Sequence, residues 1–379
     1  MGKIIYLYIL SFFLLANCTG TPHKDDRVLD YGALTELDIE IIVDIEESEH
    51  YLPGRLHDLV VTDDGSLIVS DWGSRSMVQF RHDGGFKKIL AEQGQGPGEI
   101  KNFFSLIDAK RDTLVVKFFG VPRQLDFYIQ EKNGAGFTYN YSLIVDADNN
   151  RIIDPIVTAP GYGYFAKFRS LNQNSGRELF RPPLYQSETI GVINNTAEII
   201  IDTVHVLQSP STIYIEASGG AVTPIGTPPY LNPDQIKYMA DGFYLIAKPE
   251  DGLIQVFDQL HNIHNEIILE VKERPVMETD LEFHLERIPE QFRAELINRA
   301  PDLKPAFTDV WGTHDYFLLQ ADLGEKGNKM VLLDKSGEAI GKFYLSRYDE
   351  VQHFADQRIY TLHKDQESGH SIRVYEVNM

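Results

Sequence analysis

The stretch LVVTDDGSLIVSDWGSRSMVQFRHDGGFKKIL, residues 59–90, contains four short apolar segments separated by polar turns. Two of the turns contain Asp-Gly pairs, at residues 64–65 and 83–84, and Asp-Gly between alternating apolar residues is a strong hairpin signal. The predicted strands cover residues 59–62, 66–70, 76–81 and 86–90. Four antiparallel strands joined in sequence order form one blade of a β-propeller.

The same alternation of turns and strands recurs along the chain. Further copies cover residues 104–142, 155–206, 236–271, 307–346 and 350–378. The last copy has only three strands, but residues 36–47 alternate apolar and acidic side chains like an unassigned strand. We therefore predict an all-β fold, a six-bladed β-propeller of four-stranded antiparallel blades closed by this N-terminal strand, which removes free sheet edges. A seven-bladed ring is the alternative, because residues 210–238 are not fully assigned.

Two insertions interrupt the repeated pattern. Residues 277–300 include PEQFRAELINRA, in which Pro289 suits the first turn of a helix. Its apolar residues Phe292, Leu296 and Ile297 share one helical face, so we predict a short helix. Residues 210–233 are rich in Pro and Gly and predict a long loop.

The stretch GQGPGE, residues 94–99, invites comparison with glycine-rich phosphate loops. A phosphate loop needs glycines that lead into a helix and free backbone N–H groups. Here Pro97 lacks an N–H, and Glu99 places a negative charge where phosphate would bind. We predict a non-helical connection between the first and second blades.

The charge of the chain limits its partners. It has 379 residues, a formal net charge of −21 and a single cysteine, Cys18. So acidic a chain repels phosphate backbones unless it has a basic patch, and it contains no run of clustered Lys and Arg. We therefore expect no nucleic-acid partner. A single cysteine also excludes internal disulfides and cysteine-ligated metal sites.

The N-terminus, MGKIIYLYILSFFLLANC, has Lys3 followed by an apolar run at residues 4–16. This run is short for a membrane span and typical of a secretory signal. Its end, LANC, resembles a bacterial lipoprotein box, which implies lipidation of Cys18 and anchoring in the cell envelope, with the outer membrane expected. The predicted signal peptide, polar tether and propeller domain cover residues 1–17, 18–36 and 37–379.

Short motifs in the blades carry a family resemblance. DWGSRSMVQF resembles part of an NHL repeat, with Asp71 and Phe80 matching and Ser74 and Ser76 replacing the usual Asn and Arg. GQGPGE, and PAFTDVWGTHDYFLL at residues 305–319, are similar to segments of TolB-like six-bladed propeller lipoproteins common in Bacteroidetes. The resemblance implies a six-bladed propeller and no particular reaction.

The topology of a blade predicts where a site lies. The loop between its second and third strands shares a face with the connection to the next blade. The loop at residues 71–75, the GQGPGE connection and the insertion at residues 277–300 therefore surround one mouth of the central channel, the default place for a site. The candidate ligand-binding residues are His57, Asp58, Asp71, Trp72 and Arg75. As the alternative to ligand binding, Asp71 and Arg75 stabilise the loops through hydrogen bonds, and Trp72 is a packed loop residue.

The same mouth also offers residues that bind divalent metals. The candidate metal ligands are His57, Asp58, Asp154 and Asp309. Residues 146–157 begin like a calcium loop, but Arg151 replaces its Gly and Val157 replaces its bidentate Glu. HNIH at residues 261–264 lacks the glutamate of a zinc helix, and no GxSxG motif is present.

These observations favour a membrane-anchored, exported β-propeller that acts as a binding module through the mouth face. Its expected partner is a protein, a peptide or a glycan, and its lipid anchor would contact a membrane surface. The alternative is a metal-dependent propeller enzyme with lactonase-like or lyase-like chemistry, which would hold a divalent metal as its cofactor. A structural subunit of an envelope assembly is a third hypothesis.

Overall fold

A computed structural model describes residues 28–379, except positions 48, 111, 121, 133–135, 146–150, 160–162, 171–182, 217–221, 240–241, 287, 325, 366 and 368. The predicted signal peptide, Cys18 and the start of the candidate calcium loop lie outside the described residues. Within the described part of the chain, no helix is long and apolar enough to cross a membrane.

The strands follow one another in blades. The N-terminal strand is β1, Asp38–Ile45. The first blade consists of β2 Leu56–Val61, β3 Leu67–Asp71, β4 Ser76–Phe80 and β5 Phe86–Ala91. The second consists of β6 Phe104–Lys110, β7 Thr113–Phe118, β8 Arg123–Gln130 and β9 Phe137–Val145. The third consists of β10 Arg151–Ala159, β11 Gly163–Ser170, β12 Tyr185–Asn194 and β13 Ile199–Pro210.

The second half of the ring contains the insertions. A hairpin follows the third blade, with strands β14 Ile213–Glu216 and β15 Val222–Gly226. The fourth blade consists of β16 Gln235–Tyr238, β17 Tyr244–Lys248, β18 Leu253–Phe257 and β19 Ile263–Ile268. The helices are α1 Glu278–His284 and α2 Glu290–Ile297. The fifth blade consists of β20 Asp309–Gly312, β21 Tyr316–Gly324, β22 Gly327–Asp334 and β23 Ala339–Leu345. The last strands are β24 Asp349–Ala355, β25 Arg358–Asp365 and β26 Gly369–Asn378.

The N-terminal strand closes the ring as predicted. Strand β1 pairs antiparallel with β26, from Asp38 opposite Asn378 to Ile45 opposite Ile372, and completes the sixth four-stranded sheet. The six-bladed prediction is therefore confirmed, and the seven-bladed alternative is wrong. The segment that raised it contains only the two-stranded hairpin β14–β15.

The core lies between the blades. Six clusters of buried apolar side chains each join two consecutive blades, and one of them joins the last blade to the first. Strand β3 shows the principle, since Ile68 faces the second blade while Leu67 and Val69 face the last. Strands buried on both faces need nearly continuous apolar runs. Each such side chain stabilises the fold by about 1.5–3 kcal/mol.

The insertions differ in part from their predictions. The predicted helix is present as α2, with Pro289 at its N-cap and Leu296 buried, but Ile297 is exposed. Helix α1 was not predicted, and the predicted long loop at residues 210–233 contains the hairpin β14–β15. The hairpin and the helices pack together through the apolar residues Ile213, Ile225, Leu285 and Leu296.

The GQGPGE connection is non-helical and links β5 to β6, as predicted. Its own carboxylate organises it, because Glu99 Oε2 accepts a hydrogen bond from Gly96 N–H at 2.6 Å. Gly98 has a φ of 75°, and its carbonyl accepts a hydrogen bond from the Tyr128 hydroxyl at 3.0 Å. A Cβ at Gly98 would lie 2.5 Å from Cβ of Tyr139, so the position requires glycine.

Part of the predicted tether packs on the ring. Tyr31 is buried, and its hydroxyl donates a hydrogen bond to the Ala306 carbonyl at 2.7 Å. Leu29 N–H donates to the Glu270 carbonyl at 2.7 Å. Residues 28–36 therefore belong to the packed structure.

We define the upper face as the one with the connections between blades and the loops between second and third strands. The lower face has the remaining turns. The innermost strands β2, β6, β10, β16, β20 and β24 line the channel and begin at the upper face. Both insertions interrupt connections between blades, so they decorate the upper face beside the fourth and fifth blades. In a six-membered ring this is opposite the first and second blades.

Candidate functional site

His57 and Asp58 lie at the start of β2, at the upper mouth of the channel. Asp58 links the first two blades, because its carboxylate accepts hydrogen bonds from Leu106 N–H at 3.0 Å and from the Ser70 hydroxyl at 3.4 Å. His57 Nε2 lies 3.8 Å from Asp58 Oδ1. Burial raises the pKa of Asp58 and lowers the pKa of His57, so it disfavours the charged form of both groups.

Three side chains beside His57 form what we call the aromatic cluster: Trp72, Phe103 and Phe119. The Trp72 ring centroid lies 4.8 Å from that of Phe103 and 6.0 Å from that of Phe119. The Trp72 indole N–H donates a hydrogen bond to the Phe104 carbonyl at 2.7 Å, and the His57 ring lies over the indole with the two centroids 3.6 Å apart and the planes tilted by 31°. Phe103 and Phe119 nevertheless remain 49% and 36% exposed. Ordered aromatic rings with solvent-exposed faces are typical of binding surfaces.

Phe103 and Phe119 were not among the candidate residues predicted from the sequence. Each belongs to a Phe-Phe pair at a strand end, and in each pair the partner, Phe104 or Phe118, is buried in the core between the first two blades. Neighbouring residues of a strand point to opposite sides. A Phe pair where a strand meets the upper face was therefore the available signal.

Two cations flank Phe119. Lys117 Nζ lies 5.6 Å, and Arg123 Cζ 5.7 Å, from the centroid of its ring. Both also pair with Asp154, at 3.2 Å from Lys117 and 3.3 Å from Arg123. Among the described residues, two positive charges thus share the Asp154 carboxylate.

Asp71 braces the loop beneath Trp72. It is fully buried, and its carboxylate accepts hydrogen bonds from the Tyr51 hydroxyl and from the backbone N–H groups of Gly54, Arg55, Gly73 and Ser74. Burial alone would raise the pKa of Asp71, but these hydrogen bonds hold it below its usual range. The bracing alternative therefore describes Asp71, which is inaccessible to a ligand.

The braced loops position one further cation. The backbone N–H of Trp72 donates a hydrogen bond to the Arg55 carbonyl at 2.8 Å, and the Arg55 guanidinium lies 5.6 Å from the indole centroid. Arg55 is exposed and was not a sequence candidate. Arg75 is exposed at the tip of the turn, where its φ is 52°.

The four candidate metal ligands do not converge. Of them, His57 and Asp58 are adjacent, whereas Asp154 pairs with Lys117 and Arg123, and Asp309 pairs with Lys237 of the fourth blade. Across the residues that the structure describes, no group of three or more His, Cys, Asp or Glu side chains is arranged to hold a metal ion. The proposed quartet is not a metal centre in this geometry.

A second polar group lines the lower half of the channel. Lys110 pairs with Asp108 at 3.1 Å and contacts the ring of Tyr238 from the fourth blade. Burial lowers the pKa of Lys110 to about 8, although Asp108 opposes this shift. Burial also lowers the pKa of His353, in the last blade, to about 4. Asp108 and His353 each follow a bulge in their inner strand, and bulges redirect side chains.

The backbone fold of the chain is similar to those of several solved structures. An exported-protein candidate from Bacteroides fragilis is 10% identical, with a TM-score of 0.49, over 91% of this chain and 95% of that one. A DUF4221 family member from Bacteroides vulgatus is 9% identical, with a TM-score of 0.45, over 90% and 99% of the two chains. PQQ-bound aldose sugar dehydrogenase from Streptomyces coelicolor is 9% identical, with a TM-score of 0.43, over 91% and 100%.

No protein-family model matches the sequence, and no curated protein matches it. At such low identities and TM-scores, the solved structures add nothing to the fold that the strand pairing establishes.

Proposed function

We propose that this protein is an exported, lipid-anchored β-propeller of the bacterial cell envelope, of the TolB-like and NHL-like kind. It binds a protein, peptide or glycan partner through the upper mouth of its channel. The observation that carries this proposal is the aromatic cluster, in which the exposed rings of Phe103 and Phe119 lie 4.8 Å and 6.0 Å from the ring of Trp72.

The surroundings of the cluster support a binding role. Rings that are held in place by hydrogen bonds and packing lose little conformational entropy when a partner covers them. Arg55 and Arg123 border the rings and would contact acidic or polar groups of the partner. Aromatic residues and arginine are also the residue types enriched at binding hot spots.

Capture from solubilised envelopes, with the mature protein immobilised, tests the proposal. We expect a partner retained by the unaltered protein and lost from the double variant Phe103→Ala/Phe119→Ala. Leu260→Ala is the matched control, since Leu260 is also an exposed apolar residue, in a turn of the lower face. Equal retention by all three proteins, or loss only with Leu260→Ala, would refute the proposal.

A further inference from the structure

A cavity of about 350 Å³ opens on the lower face between the fourth and fifth blades. The cavity is assigned to this face because its lining residues come from the lower turns and strand ends of these two blades. The apolar part of the wall consists of Met239, Phe243, Val256 and Phe317. This volume lies within the range of pockets that hold small organic ligands.

The titratable side chains among the described residues of the cavity wall are all basic. Lys335 is the lysine of the lining, and His264 and His314 accompany it. None of the described residues that line the cavity is a carboxylate, although the chain has 56 Asp and Glu against 35 Lys and Arg. The described residues of the wall are therefore apolar, neutral or basic, and on so acidic a chain such a concave surface is complementary to an anion.

The cavity is built from supported side chains. Asn265 Nδ2 donates a hydrogen bond to the Lys335 carbonyl at 2.8 Å, which links the two blades at the rim. The rings of Phe243 and His264 lie 5.0 Å apart. The neighbouring Asp334 carboxylate is occupied by its own turn, since it accepts hydrogen bonds from Ser336 N–H at 2.8 Å and from Glu338 N–H at 3.0 Å.

We propose that this lower cavity binds a small aromatic carboxylic acid. The aromatic ring packs against the apolar wall, and the carboxylate faces Lys335 and the two histidines. The site is separate from the aromatic cluster and does not depend on the function proposed for the upper face.

Calorimetric titration with indole-3-acetate, and with its neutral amide indole-3-acetamide as the matched probe, tests this assignment. We expect one site per chain and about fivefold tighter binding of the acid, because a partly exposed ion pair contributes modestly. Lys335→Gln removes this preference while the amide binds unchanged, and Phe243→Ala weakens both probes. Lys326→Gln, an exposed lysine of the same blade, leaves both affinities unchanged.

Three results would overturn the assignment. The first is the absence of binding of indole-3-acetate to the unaltered protein. The second is an acid preference that survives Lys335→Gln or disappears with Lys326→Gln. The third is a dimer in solution that excludes the probe, because a second copy of the chain would then occupy the cavity.

Discussion

Replacing Asp71 by Asn tests how the upper mouth is held together. The substitution keeps the size of the side chain but removes its charge and one of its two acceptor oxygens. In the native chain, Oδ2 accepts from the Tyr51 hydroxyl at 2.8 Å and from Gly54 N–H at 2.9 Å. Oδ1 accepts from the backbone N–H groups of Arg55 and Gly73, each at 2.8 Å, and from Ser74 N–H at 3.3 Å. An amide NH₂ group in place of either oxygen would face hydrogen-bond donors.

The expected cost follows from these contacts. A hydrogen bond to a charged group contributes about 1.5–3 kcal/mol, and the substitution loses at least two of them. Removing a buried charge offsets part of the loss. We therefore expect Asp71→Asn to lower the free energy of unfolding by about 2–4 kcal/mol.

Urea unfolding at pH 7 measures this difference. A lower transition midpoint, with an unchanged dependence of the free energy on urea concentration, reports the loss of stability. Asp251→Asn is the matched control, because Asp251 is exposed in the corresponding loop of the fourth blade. The pKa of Asp71 is lower in the folded protein than in the unfolded chain. Its stabilisation is therefore complete above the unfolded pKa and is lost as the pH falls through the folded pKa, so the difference between the proteins shrinks at pH 3. A loss below about 1 kcal/mol at pH 7, well under the cost of two charged hydrogen bonds, would refute the bracing role.

Three further outcomes are expected. Gly98→Ala should lower the free energy of unfolding by about 1–3 kcal/mol, because Gly98 has a positive φ and lies against Tyr139. Gly324→Ala is the control and should not lower it, because the space around Gly324 is open. Equal effects of the two substitutions in urea unfolding would contradict this. The Lys110 ammonium should titrate near pH 8 in NMR spectra of ¹³C-methylated protein, with Lys110→Arg giving the assignment, and a midpoint near the ordinary value of about 10.4 would contradict the effect of burial. In cell fractionation, the unaltered protein should follow the membranes and Cys18→Ser should not; membrane retention of that variant would contradict lipid anchoring.

The fold was predictable because its signals are local. Both central strands of the first blade are buried on both faces, so apolar residues occupy consecutive positions in them, at Leu67–Val69 and Met77–Val78. The Asp-Gly turns that separate the strands place Gly65 and Gly84 at φ values of 77° and 85°. The hairpin β14–β15 was missed because its strands are short and lie within a Pro- and Gly-rich segment.

The site was predictable only in part. His57 and Trp72 were found because blade topology alone places them at the upper mouth. Asp154 and Asp309 were grouped as metal ligands because both lie on inner strands, but sequence does not report which cation lies beside each carboxylate. Their pairing with lysines of the preceding blade depends on how consecutive blades pack, which is a long-range property.

Site-specific photocrosslinking in intact cells tests the binding role of the upper mouth most directly. A benzophenone amino acid is placed at Phe103, and separately at Leu260 on the lower face. Both positions are exposed, so both accept the probe without disturbing the core. We predict a discrete crosslinked product from position 103 and none from position 260. A product from position 260 alone, or none from either position, would contradict binding through the aromatic cluster.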